Sequence, residues 1–180
     1  MKNLNLKTSL CALAVPLILL SGSAAAANAS ADITITALVT PVCYISASAS
    51  TVDLGEIPAS YTSLPSGTLM SGVSTKNVTL TPECHGASGA TITLTTASAA
   101  TDSGCLESTP AAGGNPMQFC VYDGGDTTTR LDMNTTPALT LEDSALDTPR
   151  TLTVAAAGNN GSVAATGEHM ADLIATIEAQ

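Results

Sequence analysis

The chain is written in short runs in which apolar and polar side chains alternate. The cleanest lies near its front, where residues 30–41 read Ser-Ala-Asp-Ile-Thr-Ile-Thr-Ala-Leu-Val-Thr-Pro. In an extended strand Ile33, Ile35, Ala37 and Val39 share one face, and Asp32, Thr34 and Thr36 share the other. Similar runs follow at 51–57 (Val52, Leu54), 76–84 (Val78, Leu80, Cys84) and 90–96 (Ile92, Leu94). Others lie at 117–123 (Met117, Phe119, Val121), 139–141, 151–156 (Leu152, Val154) and 171–179 (Leu173, Ala175, Ile177). Glycine-rich turns at 86–89, 111–115, 123–126 and 158–161 punctuate them. Many short strands between turns predict an all-β sandwich, with no helical pattern, repeat or internal linker.

The front of the chain changes what counts as the folded part. Lys2 and Lys7 precede a nearly apolar run at 10–20, and Ala27-Asn28-Ala29 fits a small-x-small cleavage site. Residues 1–29 are therefore read as a secretory signal, cleaved before Ser30 or alternatively before Asp32. The apolar run falls short of the roughly 18 residues that a membrane span needs. Removing 29 of 180 residues leaves 151, one domain of ordinary size. The strand-like segment at 30–41 then stands at a chain end, where segments fray unless something ties them down. A strand patterned for burial at a free end suggests a groove on another molecule.

Charge narrows the partners. All 15 acidic residues lie beyond the leader, against only Lys76, Arg130 and Arg150, a formal charge of −12. Such a chain is a poor partner for nucleic acid or anionic lipid. The core must be built from small side chains, since there is no Trp, one Phe and three Tyr. Each strand then buries less apolar area, and an added strand or a cross-link gains importance.

Cys43, Cys84, Cys105 and Cys120 remain after the leader is removed. An even number in an exported chain predicts two disulfides, in one of three connectivities. Cys84 is in phase with Val78 and Leu80, which points it at the core and at another strand across it. No C-x-x-C spacing supports zinc. Neither His85 nor His169 belongs to H-E-x-x-H, and there is no G-x-S-x-G elbow, so no enzyme and no cofactor are expected. Asp123, Asp126 and Asp132 lack EF-hand spacing and read as turn residues, so no metal is expected. For a sugar site the aromatic candidates are Tyr44, Tyr61 and Tyr122. Tyr44 and Tyr122 sit beside cysteines and are expected to pack. Tyr61 is expected to be exposed in its Ser/Thr/Pro loop.

Several segments resemble pilin subunits of the bacterial chaperone–usher pathway, most nearly the minor tip-fibrillum subunits of type 1 pili. They are Ala-Asp-Ile-Thr-Ile-Thr at 31–36, Cys43 soon after it, and Thr-Val-Asp-Leu-Gly-Glu-Ile at 51–57. Asn-Val-Thr-Leu-Thr-Pro-Glu-Cys at 77–84 and Thr-Gly-Glu-His at 166–169, followed by the alternating closing run, complete the set. Together they frame the whole chain behind the leader.

The resemblance implies an incomplete immunoglobulin-like β-sandwich completed by a donated strand. Residues 30–42 would be the donor extension, with Ile33, Ile35, Ala37 and Val39 as its knobs. Residues 43–180 would be the pilin domain. Its closing strand, with Leu173, Ala175, Ile177 and Gln180, would border the groove and meet a periplasmic chaperone. The family often has Tyr next to last, where this chain has Ala179. The implied disulfides are Cys43–Cys84, the family's usual one, and an additional Cys105–Cys120 stapling the loop at 106–116. Implied partners are the chaperone, an outer-membrane usher and neighbouring pilins at the bacterial surface. The alternative is a tip subunit that binds a host glycan or receptor through the pilin domain itself.

Overall fold

A computed structural model of the chain describes residues 34–180. The leader, the cleavage site and Ile33 lie outside the described residues. The chain divides into two units, Met1–Ala37 and Leu38–Gln180. Of the first, residues 34–37 are described, and they are exposed and outside any ladder.

The second unit is all β, with three short 3₁₀ turns and no α-helix among the described residues. Its strands are β1 (Val42–Ala47), β2 (Lys76–His85), β3 (Gly89–Thr95), β4 (Leu106–Glu107), β5 (Thr109–Pro110) and β6 (Gln118–Asp123). They continue as β7 (Thr129–Arg130), β8 (Ala138–Glu142), β9 (Arg150–Ala157), β10 (His169–Met170) and β11 (Ile174–Ala179). One sheet runs β1-β2-β9-β6-β4, with β7 beside β6. The facing sheet runs β11-β3-β8, and β5 pairs with β10. All the pairs are antiparallel.

The core forms where the period-2 pattern predicts it. Val78 and Leu80 from β2, Ile92 and Leu94 from β3, and Leu139 and Leu141 from β8 are buried together. On β11 the alternation is visible as half-buried Ala175, Ile177 and Ala179 between exposed Ile174, Thr176 and Glu178.

β6 departs from the pattern. Met117 and Val121 are buried on the core side, yet Gln118, Cys120 and Tyr122 are buried on the other. A second layer covers that outer face: Cys105, Cys120, Tyr122, Ala155 and Ala157 form a small cluster with Leu69 against it. The alanines of β9 leave room for the covering chain. Gln118 anchors it, accepting from the Ser103 hydroxyl at 3.2 Å and the Gly67 N–H at 3.0 Å, and donating to Asn159 at 3.2 Å. At Gly158 the approach is so close that a Cβ would lie 2.5 Å from the Leu64 carbonyl oxygen, which requires glycine there.

Both disulfides lie inside this architecture. Cys43 and Cys84 face each other across adjacent strands, with Cα atoms 4.2 Å apart. The bridge therefore lies within one sheet and not across the core, as the inward phase of Cys84 had suggested. It occupies a close-spaced pair of an antiparallel ladder, where opposed Cα atoms approach to about 4.5 Å. Cys105–Cys120 ties the start of β4 to β6, and both residues are fully buried.

Candidate functional site

The sandwich is open along one side. A groove of about 1280 Å³ runs through it. Its floor is apolar and comes from the larger sheet: Val78 and Leu80, Phe119 and Val121, Leu152 and Val154. One side is formed by the end of β1 and residues 49–59, the other by residues 164–173 and Ala175 of β11.

The 51–57 run, expected to be a strand, joins no ladder among the described residues. Its alternation holds at the front: Val52 is half-buried and Leu54 buried, between exposed Thr51 and Asp53, whereas half-buried Ile57 follows exposed Gly55 and Glu56 out of phase. What it lacks is a hydrogen-bonded neighbour. Among the described residues, 49–57 make no backbone–backbone hydrogen bond, and the Gly55 N–H is met by the Asp53 side chain at 2.8 Å. Across the groove β11 is the last strand of its sheet, so no other described strand pairs with its outer edge. An apolar floor between two such backbones is a place where one further strand fits, since buried N–H and C=O groups require partners.

Polar ties hold the sides in place. Ser108, buried, donates its hydroxyl proton to His169 Nδ1 at 2.9 Å and accepts the Met117 N–H at 2.9 Å. His169 Nε2 then donates to the Ala165 carbonyl at 2.7 Å. This closed set, with the imidazole proton on Nε2, fixes β10 against β5. It leaves Ser108 no exposed face from which to act as a nucleophile. On the other side the buried Thr62 hydroxyl donates to the Ala59 carbonyl at 2.6 Å and accepts the Ala164 N–H at 2.7 Å. That bond joins the two sides at one end of the groove.

The site residues read from the sequence fall in different places. Leu173 and Ala175 line the groove, although Leu173 lies just before β11 begins. Ile177 packs on the core beyond it. Gln180 lies outside the lining, its N–H on the Gly89 carbonyl at 2.8 Å and its amide on the Thr91 hydroxyl at 2.7 Å. Ile35, Ala37 and Val39 belong to an exposed stretch at 34–41 without a ladder, and Ile35 and Val39 are 89% and 88% exposed. Val52, Leu54 and Ile57 are lining residues; the one-sided alternation of Val52 and Leu54 was in the sequence, where it was read as a strand.

The rival chemistries find less support. Asp123 is paired with Arg150, Asp126 accepts from Thr128, and Asp132 accepts from Asn134. The Thr128 hydroxyl and N–H hold the Asp126 carboxyl below its usual range. Among the described residues no three His, Cys, Asp or Glu side chains are arranged around a metal position. Of the tyrosines, Tyr122 is buried and Tyr61 is exposed, as expected, whereas Tyr44 is exposed rather than packed. Its neighbour Cys43 points inward, and successive strand residues point to opposite faces.

No protein-family model matches the sequence, and the comparison with curated proteins gives no match. Solved structures do match. The chain aligns with the P pilus rod subunit PapA at a TM-score of 0.51 and 16% identity, over 83% of this chain and 100% of that one. That likeness establishes a shared fold. A chaperone–tip subunit complex of the archaic Csu pili of Acinetobacter baumannii, containing CsuE, aligns at 0.46 and 10% identity over 78% of this chain. A chaperone–tip adhesin complex of CFA/I fimbriae aligns at 0.48 and 16% identity over 76% of this chain. This chain spans 40% and 42% of the lengths of those two.

Proposed function

We propose that this protein is a structural subunit of a chaperone–usher surface pilus, polymerising by strand donation. The observation that carries the reading is the groove: an apolar floor flanked by the outer edge of β11 and by nine residues, 49–57, neither of which has a backbone partner there among the described residues. A strand entering it adds a ladder to those backbones and covers Val78, Leu80, Phe119 and Leu152. Each fully buried Ile or Val knob contributes about 1.5–3 kcal/mol. A periplasmic chaperone fills the groove first, and a neighbouring pilin's extension replaces it at the usher. Residues 30–42, with Ile33, Ile35, Ala37 and Val39, serve the next subunit in the same way. An uncovered groove is an aggregation hazard, which gives the chaperone its physical reason.

The test is to complete the sandwich in cis. A copy of residues 32–42 is joined behind Gln180 through a short Gly/Ser linker, where the effective concentration is of order mM. The fused protein should be monomeric and should melt at least about 10 °C above the parent, a gain of a few kcal/mol. A fused strand whose Ile33 and Ile35 copies are replaced by Asp should give no gain. Equal melting of all three proteins would remove the strand-accepting reading.

A further inference from the structure

The groove is apolar inside and acidic at its mouth. Asp53, Glu56, Glu168 and Asp172 all line it, and all are exposed. Two stand on each side, the first pair on the 49–57 segment and the second on the chain leading into β11. No Lys or Arg is among the lining residues. Among the described residues the ion pairs are His85–Glu83 and Arg150–Asp123, so none of the four takes part in one. Lys76 shares a small side pocket with Asp53 without pairing with it. His169, the remaining titratable residue of the lining, is held by Ser108 and Ala165.

We infer that the groove selects a strand from a different polypeptide, one with apolar side chains at every second position and Lys or Arg at the positions between. This rests on the strand-accepting reading and names the partner's chemistry. The inward side chains of any entering strand meet the same apolar floor, so they discriminate little between donors. Its outward side chains emerge at the mouth, between the two acidic pairs. There cations are attracted and carboxylates repelled, and repulsion is an effective way to reject a wrong partner.

The chain's own extension is such a wrong partner. Residues 30–41 carry the alternating knobs, but their one charged residue is Asp32. A free second copy of this chain is therefore outcompeted by a basic donor, although a copy tethered at millimolar effective concentration still enters, and the protein takes its place among unlike subunits. Its own extension is suited to a neighbour whose groove lacks acidic sides.

The test uses the chain from residue 30 to 180 and two labelled peptides, followed by fluorescence anisotropy. One peptide is residues 30–41 as they stand. The other carries Asp32→Lys, Thr34→Lys and Thr36→Lys, which change only the outward face. At about 0.01 M salt, where the screening length is roughly 30 Å, the lysine peptide should bind at least about tenfold tighter. At about 1 M salt, with screening within roughly 3 Å, the two should agree within about twofold. A protein with Asp53→Asn, Glu56→Gln, Glu168→Gln and Asp172→Asn should lose the preference and bind the unaltered peptide at least as well. A lysine peptide that also carries Ile33→Asp and Ile35→Asp should not bind. If it binds as well as its parent, the attraction is general to an acidic protein and the proposal is overturned. Equal binding of the first two peptides at low salt overturns it as well, leaving the strand-accepting reading in place. If neither binds at either salt, both fall.

Discussion

The carboxylate of Asp147 accepts the backbone N–H of Cys84 at 3.0 Å. That contact explains how β2 changes partners. Thr79 turns its N–H to the β1 side, onto the Ser48 hydroxyl at 2.9 Å, so Val78, Leu80 and Cys84 turn theirs to the β9 side. The β2–β9 ladder ends at Leu80, opposite Arg150. Pro82 has no N–H to leave unmade, and Cys84 would be the first orphan beyond it. Asp147 supplies the missing acceptor and steadies the strand that carries the Cys43 bridge.

Replacing Asp147 by Ala should therefore lower stability by about 1–2 kcal/mol, the worth of a charge-assisted bond near the surface. Asp147→Asn, which keeps an acceptor oxygen, should lose about half as much or less. Urea unfolding with the disulfides intact measures both. Equal losses would assign the effect to something other than this bond.

The second disulfide closes a separation of 15 residues. On the chain-entropy account its removal by Cys105→Ser with Cys120→Ser should cost about 3 kcal/mol. Both sulfurs are buried, whereas Cys43 and Cys84 are half-buried at the edge of the sheet. Mild reductant on the folded protein should open Cys43–Cys84 first. Alkylation and peptide mapping over time read the order. Prior loss of Cys105–Cys120 would contradict the account.

Alkaline pH tests the packed outer face of β6. Burial raises the Tyr122 pKa above its usual value near 10, with the neighbouring Arg130 guanidinium opposing it. The folded state thus holds the phenolic proton to higher pH than the unfolded chain. Its contribution is fully present below the unfolded pKa, about 10, and is lost as pH rises through the folded value. Stability should fall from about pH 10 upward, and Tyr122→Phe should show a shallower fall. Parallel curves for the two proteins would refute it.

The sequence disclosed faces better than neighbours. The alternation of Val78 and Leu80, of Ile92 and Leu94, and of Ala175 and Ile177 reports one-sided burial, and each pair does lie toward the core. Val52 and Leu54 carry the same signal without a ladder, because period 2 records which face is covered and not whether a strand lies alongside. The double burial of β6 was hidden for a related reason. Met117, Phe119 and Val121 accounted for one face, while Gln118, Cys120 and Tyr122 are covered by chain far away in sequence. The acidic mouth of the groove could not be read at all, since only the fold brings Asp53 and Asp172 to opposite sides of one groove.

The sharpest separation of folding from assembly is Ile35→Asp. Ile35 is 89% exposed in a stretch without a ladder, so the change should alter the stability of the chain by no more than about 0.5 kcal/mol. In a neighbour's apolar groove the same carboxylate would be buried without a partner, which costs several kcal/mol. Donation should therefore fall by about 100-fold or more, while the variant still folds and still accepts a strand in its own groove. Incorporation into fibres, scored beside thermal unfolding of the purified variant, distinguishes the two effects. A variant that unfolds early would mean that Ile35 belongs to this chain's own core. One that folds normally and is incorporated normally would mean that residues 32–39 are not the donated strand.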